Sequence, residues 1–339
     1  MTSTELPFRK KRPATLSCIG SAVLIAWTVS ACRVDASNAA TTTAASAAEP
    51  DTKLQALLDK TRRNLRFVEG GTFQMGDFGP LHSPDKLYYS SNPNNKPLHK
   101  VTLDSFSMSA FKTTYADHDV YSEATGKPLA GMDEATRKRR LADVAAGLNW
   151  QQARDYCRWL GQQLKLSMDL PTEAQWEYAA RNQGQFFLFA TDNGQADSGR
   201  NVWEYEQRKD YIRRRELGVY NPSLPLGQFP ATPLGLYDMM TDGLEWTLDW
   251  YAAEYYAKSP EKNPTGPASG KEKVLRSSRS STGEALAFGD GLSITRAHRE
   301  PNPPKIDIFT GEVDATRNMT SDTTARCVVN APARLPATP

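Results

Sequence analysis

A chain of 339 residues is long enough for one large domain or two of ordinary size, and 39% hydrophobic residues suffice for a packed core. Lysine and arginine number 41 against 39 aspartates and glutamates, a formal net charge of +2. This balance gives no support to nucleic-acid binding or to a strongly acidic substrate, so any argument from charge must be local.

The first 32 residues have the pattern of a secretory signal peptide. Basic residues at 9–12 precede an apolar run from about Leu16 to Val29, and small residues lead to Cys32. The apolar run is shorter than the ~20 residues of a comfortable membrane span. The ending "VSAC" resembles the lipobox of bacterial lipoproteins, in which the cysteine becomes the first mature residue and carries lipid.

We therefore expect residues 1–32 to be a lipoprotein signal peptide, with Cys32 as the site of lipidation. An ordinary cleavage site and an uncleaved signal anchor are the alternatives. The lipobox resemblance implies a cell-envelope protein anchored to a membrane by lipid. Arg33 after the cysteine implies the outer membrane, with the protein facing the periplasm.

Residues 33–53 are dominated by alanine, threonine and serine and include no aromatic residue. Such a composition cannot bury enough surface to fold, so we predict a disordered tether. Beyond it, the mature chain contains two cysteines, Cys157 and Cys327. An even pair in an exported protein favours a disulfide, with two structural thiols as the alternative, and a metal site would need further ligands.

The next segments predict short elements in the order helix, strands, helices. Leucines at helical spacing from Leu54 to Leu65 indicate an amphipathic helix, and Gly70 and Gly71 separate two predicted short strands. The segment "HKVTLDSFSMS" alternates as one half-buried strand does. A helix is predicted from Asn149 with this buried face: Trp150, Ala153, Cys157, Leu160 and Leu164.

A further helix is predicted at "PTEAQWEYAAR", where Thr172 and Gln175 have the spacing of a capping box and Trp176 faces inward. Beyond Arg181 the sequence predicts mostly loops, with 22 glycines and 22 prolines in the whole chain. Such a domain depends on irregular packing, a disulfide or bound ions for its stability.

Several of these segments together resemble a known enzyme family. The segments "FVEGGTFQMGD", "PLHKVTLDSFSMS", "LPTEAQWEYAAR", "LGLYDMMTDGLEWTLDWY" and "TARCVV" have the order and spacing seen in the formylglycine-generating enzyme, or sulfatase-modifying factor, family. The resemblance covers about residues 66–330. It implies a single α+β domain with much irregular structure, distantly like C-type lectins, which we place at residues 54–333 with a tail at 334–339.

The resemblance also indicates that the family's chemistry is absent. Active members bind copper(I) through two cysteines near the C-terminal side of the fold, but residues 279–323 contain no cysteine. Relatives that use non-haem iron carry a histidine trio on an extra helical domain, for which this chain has no room. We therefore expect no copper, no iron and no catalytic residue.

Other departures lie in segments that line the family's pocket. The family's Arg-Gly-Gly-Ser-Trp becomes "RSSRS", so Ser277 and Ser278 imply a rebuilt pocket floor. Only Arg296 and Arg299, in "SITRAHRE", remain as residues of a residual pocket. The aromatic residues of "GLYDMMTDGLEWTLDW" are expected to pack the core.

Two structural features of the family are implied to persist. Cys157 and Cys327 match the positions of a structural disulfide. The family's calcium sites resemble the positions of Asn201 with Val202 and of Asp242 with Glu245, where oxygen ligands suit a hard cation. Solvated loop carboxylates are the alternative, and calcium is the one cofactor considered.

Two basic runs, "RKRR" at 137–140 and "RKDYIRRRE" at 208–216, stand out in the sequence. A solvated helical face is the ordinary explanation. Arginine and tyrosine are also favoured at protein interfaces, so the second run is a candidate partner-binding surface. Its candidate residues are Arg208, Tyr211, Arg213, Arg214 and Arg215.

The leading hypothesis is a non-enzymatic, membrane-tethered periplasmic lipoprotein that binds and neutralises a periplasmic or incoming secreted protein. It resembles degenerate family members that occur as lipoproteins beside type VI phospholipase effectors and look like their immunity proteins. A periplasmic oxidase or modifying enzyme of the formylglycine-generating or siderophore-maturation type is the alternative. A calcium-dependent lectin-like adhesion module is a third reading, and a nucleic-acid partner is not expected.

Overall fold

Two four-stranded sheets and several packed helices form the protein, whose computed structural model describes residues 45–137, 140–217, 223–279, 291–306, 310–318 and 321–334. Cys32, the signal peptide and most of the proposed tether lie outside the described residues. From Ser46 onward the chain forms one compact unit. Within the described ranges, every helix is too short or too polar to span a membrane.

The first helix begins earlier than the sequence analysis placed it. Helix α1 runs from Ala45 to Asn64, so the last nine residues of the predicted tether, 45–53, are helical rather than disordered. Alanine has a high helix propensity and favours a helix even without buried surface, which an alanine-rich composition alone does not reveal. Leu57 and Leu58 are buried and attach α1 to the core.

Six further helices follow in the described residues: α2 Gly79–His82, α3 Tyr115–Thr125, α4 Glu134–Arg137, α5 Trp150–Leu164, α6 Glu173–Ala180 and α7 Tyr205–Arg214. The predicted α5 face is confirmed, since all five of its residues are buried. The capping box of Thr172 and Gln175 at the start of α6 is also confirmed. Single turns of 3₁₀ helix lie at Pro93–Asn95 and Tyr255–Ala257.

The first sheet has the order β1-β4-β12-β5, and all its described pairs are antiparallel. The second has the order β11-β6-β7-β8, in which only β11 and β6 pair in parallel. Strands β2 with β3 and β9 with β10 form two ribbons. The bounds are β1 Leu65–Val68, β2 Gly71–Met75, β3 His99–Leu103, β4 Phe106–Ser109, β5 Met168–Asp169, β6 Leu244–Trp250, β7 Lys273–Arg276, β8 Ala297–Arg299, β9 Pro304–Ile306, β10 Val313–Asn318, β11 Thr323–Thr324 and β12 Val328–Val329.

The segment predicted as one strand, "HKVTLDSFSMS", is two strands that belong to different sheets. The chain turns at Asp104 and Ser105, where Gly70 lies so close that a Cβ atom on it would stand 2.4 Å from the carbonyl oxygen of Leu103. The side chain of Asn263 accepts from the backbone N–H of Asp104 and supports this turn. Alternation along the sequence shows which side chains are buried, but it does not reveal a change of sheet.

The disulfide between Cys157 and Cys327 joins α5 to the segment before β12. Cys157 is completely buried, and Cys327 is almost so. The bond therefore ties the main helix of the larger core cluster to the first sheet, as the sequence analysis expected.

Candidate functional site

Helix α6 places two carboxylates inside the protein. Glu173 and Glu177 lie one turn apart and are 1% and 0% exposed. Arg276, at the end of β7, donates to both carboxylates at 2.8 and 3.0 Å, and Arg296 donates to Glu173 at 2.7 and 3.0 Å. Arg181 donates to Glu177 at 2.9 Å. Two glutamates and three arginines thus form a continuous buried ion network.

The arginines of the network stabilise the charged form of Glu173. Burial alone would raise the pKa of Glu173, but Arg296 and Arg276 outweigh it and hold that pKa below its usual value. The hydroxyl of Tyr256 also donates to Glu173, at 3.1 Å. With both carboxylates held by arginines, the network has the character of a structural core.

The two arginines of the predicted residual pocket serve different ion pairs. Arg296 belongs to the buried network and is 3% exposed. Arg299 binds Asp322 through two hydrogen bonds of 2.7 and 2.8 Å. Each guanidinium is committed to a carboxylate of the protein, so the structure does not support a shared pocket that uses both arginines.

One of the two serines that replace the family's glycines, Ser277, retains a glycine-like backbone. Ser277 has a φ angle of +75°, in the left-handed region that residues with a side chain rarely adopt. Ser277 and Ser278 are both buried. Residues 280–290, which follow them in the stretch where the family has its copper cysteines, lie outside the described residues.

Lys112 occupies the position where the sequence analysis placed calcium near Asp242 and Glu245. Its buried ammonium donates to the carbonyl oxygens of Thr241 and Gly243 and to the Ser277 hydroxyl, and it lies 3.7 Å from Glu245. Lys112 is 1% exposed, so this cation belongs to the interior.

The carboxylate of Glu245 is held by hydrogen bonds from the protein itself. Its two oxygens accept 3.0 Å hydrogen bonds from Arg326, and the indole N–H of Trp176 donates to one of them at 2.8 Å. In this structure the cations of Lys112 and Arg326 neutralise this turn.

The second predicted calcium position is also filled by the protein's own groups. The side-chain oxygen of Asn201 accepts from the Asp197 N–H, and the Val202 carbonyl accepts from the Gly199 N–H. Arg200 donates to both Asp192 and Asp197 at this loop. Across the described part of the chain, no group of three histidine, cysteine or acidic side chains is arranged to hold a metal ion.

The predicted partner-binding residues divide between the inner and outer sides of α7. Arg208 is 8% exposed and faces inward, where burial lowers its pKa and Asp242 opposes that shift. Arg208 is therefore buried, unlike the arginines at the end of the same helix. Tyr211 is half-buried against Trp203, with ring centroids 5.2 Å apart.

The outer side of α7 and the turn after it are basic. Arg213, Arg214 and Arg215 are exposed. Arg213 pairs with Asp210 within the helix, and the guanidinium of Arg215 lies 5.6 Å from the ring centre of Tyr211. Tyr205, at the start of the helix, is 56% exposed. We call the four residues Tyr205, Arg213, Arg214 and Arg215 the α7 surface.

A cavity of about 810 Å³ was not anticipated from the sequence. Its lining is neutral apart from Asp104, and the polar side chains pair with one another, as Gln175 does with Asn330 at 2.8 Å. The lining comes from Gly70, Gly71, Leu103, Asp104, Ser105, Thr172, Gln175, Leu248, Asn263, Thr265, Asn330, Ala331 and Pro332. Because these segments are distant in sequence, no local pattern could have revealed it.

The chain is similar to formylglycine-generating enzymes. It is 25% identical to the mouse (Mus musculus) enzyme over 252 residues, covering 62% of this chain and 64% of that protein. It is 28% identical to the Streptomyces coelicolor enzyme over 278 residues, covering 68% of this chain and 82% of that protein. The chain thus spans slightly less than two thirds of the mouse relative.

Among solved structures, PvdO from Pseudomonas aeruginosa superposes with a TM-score of 0.57 at 21% identity, over 78% of this chain and 93% of that one. This likeness concerns the fold and agrees with the α+β class expected from the sequence. The model of the sulfatase-modifying factor enzyme 1-like domain matches residues 53–307, three quarters of the chain. The protein therefore belongs to the sulfatase-modifying factor enzyme 1-like family.

Proposed function

We propose that this family member is a binding protein rather than an oxidase. One observation carries the proposal: Cys157 and Cys327, the only cysteines after residue 32, are joined to each other. A copper(I) site needs soft thiolate ligands, and a disulfide supplies none. The residues present therefore do not fit the copper that active relatives of the family use.

The lipobox resemblance at Cys32 and the exposed cations of the α7 surface support a more specific role. We propose a lipoprotein of the cell envelope, held at the outer membrane and facing the periplasm, that binds and neutralises another protein. The narrowest form of this proposal is an immunity protein to an incoming type VI phospholipase effector. The α7 surface is the contact region we assign to that partner, because arginine and tyrosine are strong interface anchors.

A capture experiment tests the proposal. The full chain, carrying a C-terminal affinity tag, is used to capture proteins from detergent extracts of envelope into which the effector has been delivered. The test variant changes Arg213, Arg214 and Arg215 to glutamate. The matched control changes three lysines exposed elsewhere, Lys258, Lys262 and Lys271, to glutamate.

We expect one partner at a one-to-one ratio with the wild type and the control variant, and at least ~10-fold weaker capture by the α7 variant, since like-charge contacts cost several kcal/mol. Equal capture by both variants contradicts the assignment of the α7 surface. Absence of a stoichiometric partner contradicts the binding function itself.

A periplasmic oxidase or modifying enzyme is the alternative, because the curated relatives named above are formylglycine-generating enzymes. Metal analysis of the purified full chain separates the two. Near-stoichiometric copper or iron, together with metal-dependent oxygen consumption, favours the enzyme. If washing with buffer removes both metals and the protein still captures its partner, the result supports a binding function.

A further inference from the structure

Exposed large apolar side chains concentrate at one place on the molecule. The segment 79–88, which contains α2, exposes Leu81 by 51%, Leu87 by 67% and Tyr88 by 52%. Phe186, exposed by 41%, lies beside this segment, with its ring centre 5.2 Å from Phe78. We call the segment 79–88 together with Phe186 the apolar loop. Clustered exposure of this kind marks a surface that meets a protein or a membrane.

The apolar loop is held in one conformation. The buried carboxylate of Asp77 accepts from the N–H groups of Gly79, Tyr89 and Ser90 at 2.9–3.1 Å, so it ties together the two ends of the segment. The Ser83 hydroxyl donates to the Leu87 carbonyl at 2.8 Å inside the loop. These hydrogen bonds fix the backbone of the loop in a conformation that leaves the apolar side chains exposed.

Two lysines accompany the apolar side chains. Lys86 donates to the Leu81 carbonyl at 3.1 Å, and Lys96 donates to the Ser90 carbonyl at 2.7 Å. The Lys96 ammonium also lies 4.2 Å from the ring centre of Tyr88. Neither ammonium forms an ion pair with a carboxylate in the described ranges of the chain, and Asp85 is the only acidic residue of the segment 79–88.

We propose that the apolar loop docks onto an anionic lipid surface. Leucine, tyrosine and phenylalanine enter the headgroup region of a bilayer, and flanking lysines reach the lipid phosphates. Lysines close to a membrane are attracted to anionic headgroups. A lipid surface is favoured over a protein partner because the loop combines apolar side chains with cations that no described carboxylate neutralises.

The short connection between Cys32 and α1 agrees with this assignment, and this step rests on the proposed lipidation. Ala45, the first residue of α1, lies thirteen residues after Cys32. Even fully extended, that connection reaches about 45 Å. A lipid on Cys32 would therefore keep the domain near a membrane, where a weak second contact is sufficient to orient it.

Quenching of a fluorescent probe by lipid tests the proposal. The full chain, with Cys18 and Cys32 changed to serine, carries an environment-sensitive dye on Leu87→Cys. An N-terminal histidine tag holds it on vesicles that contain nickel-chelating lipid, with or without phosphatidylglycerol in phosphatidylcholine. This tether does not depend on lipidation, so failure here is distinct from failure of the proposed function. The matched control carries the dye on Met132→Cys, a position exposed by 47%.

We expect doxyl-labelled lipid to quench the dye at position 87 at least about twofold more than the dye at 132, and only with phosphatidylglycerol present. Adding Leu81→Ser and Tyr88→Ser should abolish the difference without lowering Tm, because both side chains are exposed. With the dye kept at position 87, the changes Leu129→Ser and Met132→Ser serve as the control for lost apolar surface elsewhere.

Equal quenching at positions 87 and 132 overturns the proposal. An unquenched dye at position 87, combined with loss of the captured partner in the Leu81→Ser and Tyr88→Ser variant, also overturns it and makes the apolar loop a protein-binding surface.

Discussion

At the scale of single residues, burial controls the charge states of several acids. Burial raises the pKa of Asp249 to about 7, and the neighbouring Glu173 adds to the shift. Arg296 and Lys273, which also face Asp249, act in the opposite direction without cancelling it. Asp249 accepts from the backbone N–H of Glu173 at 2.8 Å and so sits at the start of α6. The folded protein therefore holds a proton on this carboxyl that the unfolded chain releases at lower pH.

Asp249→Asn is predicted to remove a pH dependence of stability. The pKa of Asp249 is higher in the folded protein than in the unfolded chain. The contribution of this carboxyl to stability is therefore fully present below pH ~4 and is lost as the pH rises to about 7. One such proton gives a slope of about 1.4 kcal/mol per pH unit. Asparagine keeps the acceptor oxygen, so the variant should gain stability relative to wild type as the pH rises from about 4 to about 7. Urea unfolding across that range measures the difference, and a constant difference contradicts the prediction.

Lys112 is predicted to make the turn at 241–243 independent of calcium. Lys112→Met removes the buried ammonium that neutralises Glu245 and should lower the free energy of unfolding by about 3 kcal/mol or more. Lys112→Ser should be equally destabilised, but it leaves space among the carbonyl and carboxylate oxygens that a hard cation prefers.

Thermal unfolding with calcium or with a chelator tests this prediction. Calcium should raise the Tm of Lys112→Ser more than that of Lys112→Met or of wild type. A large calcium-dependent rise of the wild-type Tm would instead restore calcium as a cofactor of this protein.

At the scale of elements, local signals predicted α5 and α6 but neither α3 nor the division of strands between sheets. The buried face of α5 and the capping box of α6 were correctly predicted because each depends on residues within a few turns. The division of "HKVTLDSFSMS" between two sheets depends on Gly70 and Asn263, which are far away in sequence. The same limit applies to Lys112, whose partners follow it by about 130 residues. It also applies to Arg208, because the pattern of one basic run did not reveal that this side chain faces inward.

The capping box of α6 is predicted to stabilise the element that carries Glu173 and Glu177. The Thr172 hydroxyl accepts from the Gln175 N–H at 3.1 Å, and the Gln175 side chain accepts in return at 2.9 Å. Thr172→Ala should therefore lower stability by about 1 kcal/mol. Thr172→Ser keeps the hydroxyl and should stay close to wild type in chemical unfolding. Similar losses in both variants would assign the effect to packing of the threonine methyl group.

At the scale of the whole molecule, the family and its α+β fold followed from ordered sequence segments, whereas the arrangement of charges in the interior did not. Sequence resemblance identified positions such as Glu245 and Arg296 but not which cations or carboxylates would meet them. Those pairings depend on side chains that only the complete fold brings together. The sequence therefore predicted a pocket at Arg296, whereas the structure shows a buried ion network there.

The disulfide is predicted to contribute strongly to global stability. Its cysteines are 170 residues apart in sequence. Closing so long a loop restricts the unfolded chain, which corresponds to about 2–5 kcal/mol. Reductant should lower the free energy of unfolding of wild type by that amount, which appears as a lower urea midpoint. The double variant Cys157→Ala, Cys327→Ala should have the lower midpoint already and should not respond to reductant.

The same bond also determines how the protein responds to cleavage by a protease. Every peptide bond between residues 158 and 326 lies inside the ring that Cys157 and Cys327 close. A single cut anywhere in that ring, including the segment 280–290, leaves both pieces covalently joined. Limited proteolysis should thus yield a nicked protein that migrates as one band on a non-reducing gel and separates into two only after reduction. Backbone cleavage would then be a tolerated lesion rather than the first step of degradation.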